Sequence, residues 1–201
     1  MTRRTIQLLI LRPVLFLLGL RVRGRAHLET GGPAIVIANH NSHLDTAALL
    51  AAVPNHLIPR VHPAAATDYF LRNRMLSWIS LHLIGIIPVD RSGVHPDPLA
   101  ECSRALGRGE IVVLFPEGSR GEPDVPQRFR RGIAHLMAAH PEVPVIPVHI
   151  RGAATVLPKG AKIPLPMGIE VTVGRPVQAP SAMSIAATTG LVEKAVWDLA
   201  V

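Results

Sequence analysis

The chain has 201 residues, 48% of them hydrophobic, and carries a formal charge of +7 from 21 Lys and Arg against 14 Asp and Glu. This builds one compact domain with a core and excludes a disordered tail, and the 19 Pro and 16 Gly scattered between apolar runs read as turn punctuation. The positive excess favours anionic partners. With 3% aromatics and no groove-reading motif, nucleic acid is not expected among them; with Cys102 as the only cysteine, an intrachain disulfide and a thiolate metal cluster are excluded.

At the N-terminus, Thr5 to Leu20 is strongly apolar but divided by Arg12 and Pro13. A spanning helix needs about 20 mostly apolar residues, so this run is too short and interrupted, and no cleavage pattern follows it. Arg3 and Arg4 precede it; Arg21, Arg23 and Arg25 follow. That bracket suits an interfacial helix on an anionic membrane face, with a buried first helix as the plainer alternative. Residues 1–25 are accordingly set apart as a helical arm at the membrane interface, and 26–201 as the domain itself.

Beyond the arm, short apolar strands alternate with helical runs. Ala34 to Ala38 is a continuous apolar strand, Thr46 to Ala52 a helix, and Val61 to Thr67 a strand weakened by Pro63. Tyr69 to Leu83 has helical spacing, Ile84 to Val89 is a strand, and Pro98 to Leu106 is a helix ended by Gly107 and Gly109. Ile111 to Phe115 is the clearest strand. Phe129 to Ala139 follows as a helix, Val143 to Ile150 and Gly168 to Val173 as strands, and Ser181 to Leu199 as a terminal helix. The alternation predicts an α/β layered domain, and the near-continuous apolar strands predict a parallel or mixed sheet buried on both faces. Ligands bind at the carboxyl ends of such strands, which directs attention to Asn39 to Asp45 and to Pro116 to Gly121.

The first of these segments, Asn39-His40-Asn41-Ser42-His43-Leu44-Asp45, leaves a buried strand. Attack by a hydroxyl on a thioester needs a base near neutrality, and a histidine held by a carboxylate on its other nitrogen supplies one. His40 and Asp45 are five apart and share no face of one helix; a turn at His40 with the helix starting near Ser42 brings them together. Ser42 and Asp45 also have capping-box spacing, and His40, His43 and Asp45 are a candidate metal-ligand set. In the second segment, Glu117, Gly118, Ser119 and Arg120 end a buried strand in a glycine turn with a bidentate fork for phosphate. Arg91, at the end of Ile86 to Arg91, is read either as a surface ion pair or as a second prong on that phosphate.

Taken together, these segments resemble the glycerolipid acyltransferases of the PlsC type, the 1-acyl-glycerol-3-phosphate acyltransferases and their relatives. Asn39, His40 and Asp45 match an NHxxxxD block, Ile86 to Arg91 an apolar strand ending in arginine, Phe115 to Gly121 an FPEGTRS-like block with Ser119 in the threonine place, and Val143 to Ile150 a Val-Pro-rich strand. Order and spacing agree over roughly Ala34 to Pro176. Phe129-Arg130-Arg131-Gly132 has arginine where relatives carry lysine, and Gly121 stands where serine is usual.

The resemblance implies a single-domain glycerol-3-phosphate acyltransferase-like α/β fold, with a mixed, mostly parallel sheet covered by helices. It implies His40 as general base and Asp45 as its orienting partner. Arg91, Glu117, Gly118, Ser119 and Arg120 become the acceptor site, and Val143 to Ile150 a wall on the acyl side or the core beside it. The donor is acyl-CoA or acyl-carrier protein, which suits Arg128, Arg130 and Arg131 unless these are only a solvated face. The acceptor is a lysophosphatidate-like phosphorylated glycerolipid at an anionic membrane surface, on the cytoplasmic face as a peripheral or monotopic protein. No metal or other cofactor is required, and with no GxSxG elbow transfer is expected to be direct. Backbone amides of Ser42 to Leu44 are expected to face the oxyanion. Two rival readings stand beside this one: a non-catalytic phospholipid-binding module of the same fold, and a metal-dependent hydrolase using His40, His43 and Asp45.

Overall fold

In the computed structural model, residues 3–66, 84–90, 97–122, 125–157, 165, 167–180 and 182–200 are described. The centre of the sheet is set by strands with no polar residue to spare. β2 (Ala34–Ala38) and β5 (Ile111–Leu114) are buried at every position and pair in parallel, Ala34 against Ile111 through Ile37 against Leu114. Around them β1 (Leu20–Arg23), β3 (Val61–Ala66), β4 (Ile87–Val89), β6 (Val145–Arg151) and β7 (Ile169–Val173) complete a seven-stranded sheet of order β1-β7-β6-β2-β5-β3-β4. β6, β2, β5, β3 and β4 run parallel; β7 is antiparallel to β6, and β1 follows β7.

Successive side chains of a strand point to opposite faces, so β2 feeds two cores. Ala34, Val36 and Ala38 meet α3 (Leu44–Ala52) through Ala48 and Leu49. Ile35 and Ile37 meet α4 (Ala100–Gly107) through Cys102 and Leu106, α5 (Gly132–Ala139) through Ile133 and Leu136, and α7 (Ile185–Trp197) through Val192 and Val196. The short α6 (Ala153–Val156) follows β6. Helices on both faces of a mostly parallel sheet are the architecture the alternation predicts. The expected helix at Tyr69 to Leu83 and the last residue of the Val61 to Thr67 strand lie outside the described residues.

Two expectations need correction. The Phe129 to Ala139 helix begins only at Gly132; Phe129 and Arg130 are held outside it by tertiary contacts, their amides donating to Glu193 and Pro116. The N-terminal segment is not a detached arm. α1 (Arg3–Ile6), a π-helical turn (Gln7–Leu11) and α2 (Arg12–Leu17) run as one helix, and Leu15, 1% exposed, enters the core beneath α3. The π turn, with the Arg12 amide bonded to Gln7 O, widens the helix just before Pro13, whose ring would otherwise press on the preceding turn. A boundary at 25/26 would also cut β1 from its partner β7.

The arginine bracket is partly spent inside the fold. Arg12 donates to Asn55 and to Val53 O, Arg25 donates to Val53 O at 3.1 Å, and Arg23 pairs with Glu170 at 2.8 Å. Val53 is the C-cap of α3, so two guanidinium groups satisfy the carbonyl end of that helix, where positive charge is favoured. Leu15→Ala should therefore lower the unfolding free energy by about 2–5 kcal/mol in urea titration; an unchanged midpoint would show the helix to be merely laid on the surface.

Candidate active site

The site is built where β2 and β5 end side by side. Asn39, fully buried, continues β2 with its side chain: Nδ2 donates to Ile150 O at 2.8 Å, and Ile150 N donates to Oδ1 at 2.7 Å. This amide replaces a rung of the ladder between β2 and β6 and fixes the chain direction into His40. The next residues turn, and α3 starts at Leu44. Asp45, 1% exposed, points back over that turn, since helical side chains tilt toward the N-terminus. Its Oδ2 accepts from Asn41 N at 2.6 Å and Ser42 N at 2.7 Å, and lies 3.0 Å from Nδ1 of His40. A carboxylate only accepts, so Nδ1 carries the hydrogen and Nε2 keeps its lone pair. The imidazole stacks on Phe115 at 4.3 Å between ring centroids.

The capping-box and histidine-orienting readings of Asp45 are thus met by one oxygen. Of the amides expected to face the oxyanion, that of Ser42 is bonded to Asp45 and that of Leu44 to Ser42 Oγ at 3.3 Å. His43 is exposed at the mouth. Desolvation lowers its pKa from the usual histidine value, and the charges of Arg120 and His40 lower it further, which brings Arg120 to the same rim. Among the described residues no three His, Cys, Asp or Glu side chains form a metal-ligand group.

The β5 exit makes a tight turn, with the Gly118 amide bonded to Phe115 O at 3.1 Å across Pro116. Gly118 has φ +83, and a Cβ there would stand 2.2 Å from Arg130 Nε, so glycine is required twice over. Arg130 reaches across it: its amide donates to Pro116 O at 2.8 Å and its Nε to Glu117 O at 3.4 Å. The Gly121 amide then donates to His40 O at 2.9 Å, joining the two segments.

Glu117 is 5% exposed, and neither carboxyl oxygen has a hydrogen-bond partner among the described residues. Burial pushes its pKa up to about 7, and the charge of Asp45 adds to this. The His40 backbone N–H, close but outside hydrogen-bond geometry, opposes it. Ser119 and Arg120 are exposed. Arg91 lies outside the described residues.

Beside the turn is a mainly apolar cavity of about 320 Å³, lined by Ala64, Val89, Leu99, Leu114, Phe115 and Ile133 among others, with Arg130 and Asp90 contributing polar groups. The fully buried core of β6 takes no part in that lining, so Val143 to Ile150 belongs to the core. Cys102 is fully buried in α4. Desolvation, with Asp97 and Glu101 nearby, pushes its thiol up to about 12, leaving it no thiolate character.

Against this geometry, the acyltransferase family model matches residues 19–151, about two thirds of the chain and all of the site just described. The chain belongs to the acyltransferase family. It is 30% identical over 150 residues to the 1-acyl-sn-glycerol-3-phosphate acyltransferase alpha of Ovis aries, covering 70% of this chain and 48% of that protein. It is 31% identical over 182 residues to the N-acylphosphatidylethanolamine synthase of Arabidopsis thaliana, covering 84% and 61%. With the 1-acyl-sn-glycerol-3-phosphate acyltransferase of Bacillus subtilis it shares 27% over 185 residues, covering 90% and 88%. The fold is that of the crystal structure of PlsC, an LPA acyltransferase from Thermotoga maritima: TM-score 0.73 at 22% identity, over 98% of this chain and 81% of that one. The chain spans about half the length of the mammalian relatives it matches.

The site gives roles to groups whose roles the sequence motifs leave undefined: Asn39 as the bridge to β6, Phe115 as the surface under the imidazole, and Arg130 as the brace on Gly118. Each stands in a matched block, but the block does not say what its side chain touches. The raised Glu117 pKa also has a sign. The folded state holds the proton that the unfolded chain releases near pH 4.5, so its contribution to stability is complete below pH 4.5 and is lost as pH rises through 7. Glu117→Gln should therefore be more stable than wild type at pH 8, on the order of 3 kcal/mol, with no difference near pH 4. Equal denaturation midpoints at both pH values would contradict a buried, unpartnered carboxyl.

Proposed function

We propose that this chain is a glycerolipid O-acyltransferase. It moves a fatty acyl group from the thioester of acyl-CoA or acyl-carrier protein to the free hydroxyl of a lysophosphatidate-like acceptor, by direct transfer. The observation that carries this reading is the 3.0 Å contact between His40 Nδ1 and Asp45 Oδ2, which fixes the tautomer with Nε2 as the base. Nε2 takes the proton of the acceptor hydroxyl, and the oxygen attacks the thioester carbonyl. The tetrahedral intermediate then expels the thiol, which regains the proton from the imidazolium stabilised by Asp45. The inert Cys102 favours transfer without an acyl-enzyme.

Glu117, Gly118, Ser119 and Arg120, with Arg91, form the acceptor site, the arginines on the phosphate. The cavity beside Phe115 suits an acyl chain, and exposed Arg128, Arg130 and Arg131 suit an anionic donor. The reading uses no metal or other cofactor. The relatives named for 1-acyl-sn-glycerol-3-phosphate support the acceptor class. The N-acylphosphatidylethanolamine synthase makes a phosphatidylethanolamine amine the second candidate.

The helix of residues 3–17 supports residence on an anionic membrane. Leu9, Ile10, Val14, Phe16 and Leu17 are each 47% exposed or more, and no helix among the described residues is long and apolar enough to span. Peripheral or monotopic attachment on the cytoplasmic face follows from this reading.

Wild-type protein incubated with acyl-CoA and an acceptor panel should yield phosphatidate from lysophosphatidate by mass spectrometry. His40→Ala should lower kcat by about 10²–10⁴ without unfolding. Arg120→Ala should raise KM for the phosphorylated acceptor about tenfold with kcat near wild type. Absence of product across all donors would favour a lipid-binding module, and full turnover by His40→Ala would remove the imidazole from the mechanism.

A further inference from the structure

The stretch Phe129-Arg130-Arg131 has no helical or strand ladder, although Arg130 braces the turn that carries the site. Its direction is fixed from an unexpected side. Glu193, on α7, accepts a hydrogen bond from the Phe129 amide at 2.7 Å through Oε2, across 64 residues of sequence. The Phe129 ring is buried in the core that receives Val192 and Val196 of the same helix, both fully buried. Those valines already dock α7, so the carboxylate is not needed to hold the helix. What it adds is the orientation of the Arg128–Phe129 peptide plane, one before the plane that carries the Arg130 amide.

In the next plane the Arg130 amide bonds Pro116 O, and its guanidinium lies over Gly118, with Nε and Cζ 2.2 and 2.8 Å from where a Cβ would be. The turn in its grip ends the strand that places Phe115 under His40, and leads to the Gly121 amide on His40 O. A short hydrogen bond to a carboxylate is among the stronger ones available to a backbone amide. Glu193 lies beyond residue 151, outside the region matched by the family model.

We propose that Glu193 is a positioning residue for the acyltransferase site, acting from the C-terminal helix through Phe129 and Arg130 on the Glu117–Gly121 turn. The inference concerns the site whose activity is proposed above and rests on that reading for its kinetic consequence.

The test compares the full chain with Glu193→Gln, Glu193→Ala, Arg130→Ala and the double variant Glu193→Ala/Arg130→Ala, by amide hydrogen exchange and by kcat and KM for lysophosphatidate. Glu193→Ala should speed exchange at the Gly118 and Gly121 amides about tenfold and lower kcat/KM by a similar factor. Glu193→Gln, which keeps an acceptor oxygen, should restore both to within about twofold. The double variant should lose less than the sum of the two single losses, since Arg130→Ala keeps the backbone bond to Pro116 O through which part of the effect passes. Unchanged exchange at Gly118 and Gly121 in Glu193→Ala overturns the proposal, as does a loss that adds in full to that of Arg130→Ala. So does a lowered melting temperature with both site readouts unmoved. The exchange measurement does not require turnover, so an inactive wild type would refute the acyl-transfer reading while exchange still decides this one.

Discussion

A single carboxylate oxygen organises the mouth of the sheet. Asp45 Oδ2 accepts two backbone amides and faces the imidazole. It therefore does the work of a helix cap and of a histidine holder in the same few ångströms. The two roles support each other. The amides of Asn41 and Ser42 shape the turn that lets His40 reach back across five residues, and the turn in turn buries Asp45 to 1% exposure, where a rigid acceptor is most effective. Losing that oxygen would leave two amides without their partner and the ring free to rotate, so catalysis and local folding are not separable at this position.

Around that oxygen the site is framed by main-chain register. β2 and β5 run parallel and in step as far as Ile37 and Leu114, so the residues that follow them emerge side by side. Asn39 ties one exit to β6, the Gly121 amide ties the other to His40, and Phe115 fills the space between ring and cavity. Glu117 is the strained member: a carboxyl buried without a partner, tolerated because the surrounding turn is held by Gly118 and Arg130. Polar groups left unpaired in so ordered a setting are expected where a ligand supplies the missing contacts.

Much of this was legible in the sequence, and the reasons for success and failure are physical. β2 and β5 are apolar at every position, which only a strand buried on both faces explains. The pairing of His40 with Asp45 followed from asking where a helix must begin for residues five apart to meet. What failed depended on contacts distant in sequence. Arg12 read as an interruption of an apolar run and Arg25 as part of the charge flanking it, because nothing local reveals that the C-terminus of α3 is waiting for them. The helix expected from Phe129 starts at Gly132, with Phe129 and Arg130 held instead by Glu193 and Pro116, far away in sequence. The amides of Ser42 and Leu44, expected to face an oxyanion, are bonded to side-chain oxygens of Asp45 and Ser42. Periodicity reports which face is buried; it does not report who answers a given N–H.

The nine residues of α3 have both ends spoken for. At one end the helix supports His40; at the other its C-cap carbonyl is gripped by the guanidinium groups of Arg12, in the N-terminal helix, and Arg25, just after β1. Adding or deleting a single residue in between would rotate one terminus against the other by about 100° and shift it by about 1.5 Å, and no side-chain adjustment at either end could absorb both. The span of this helix is thus a ruler of fixed length. Substitutions along its outer face are open to sequence drift, while insertions and deletions are closed to it.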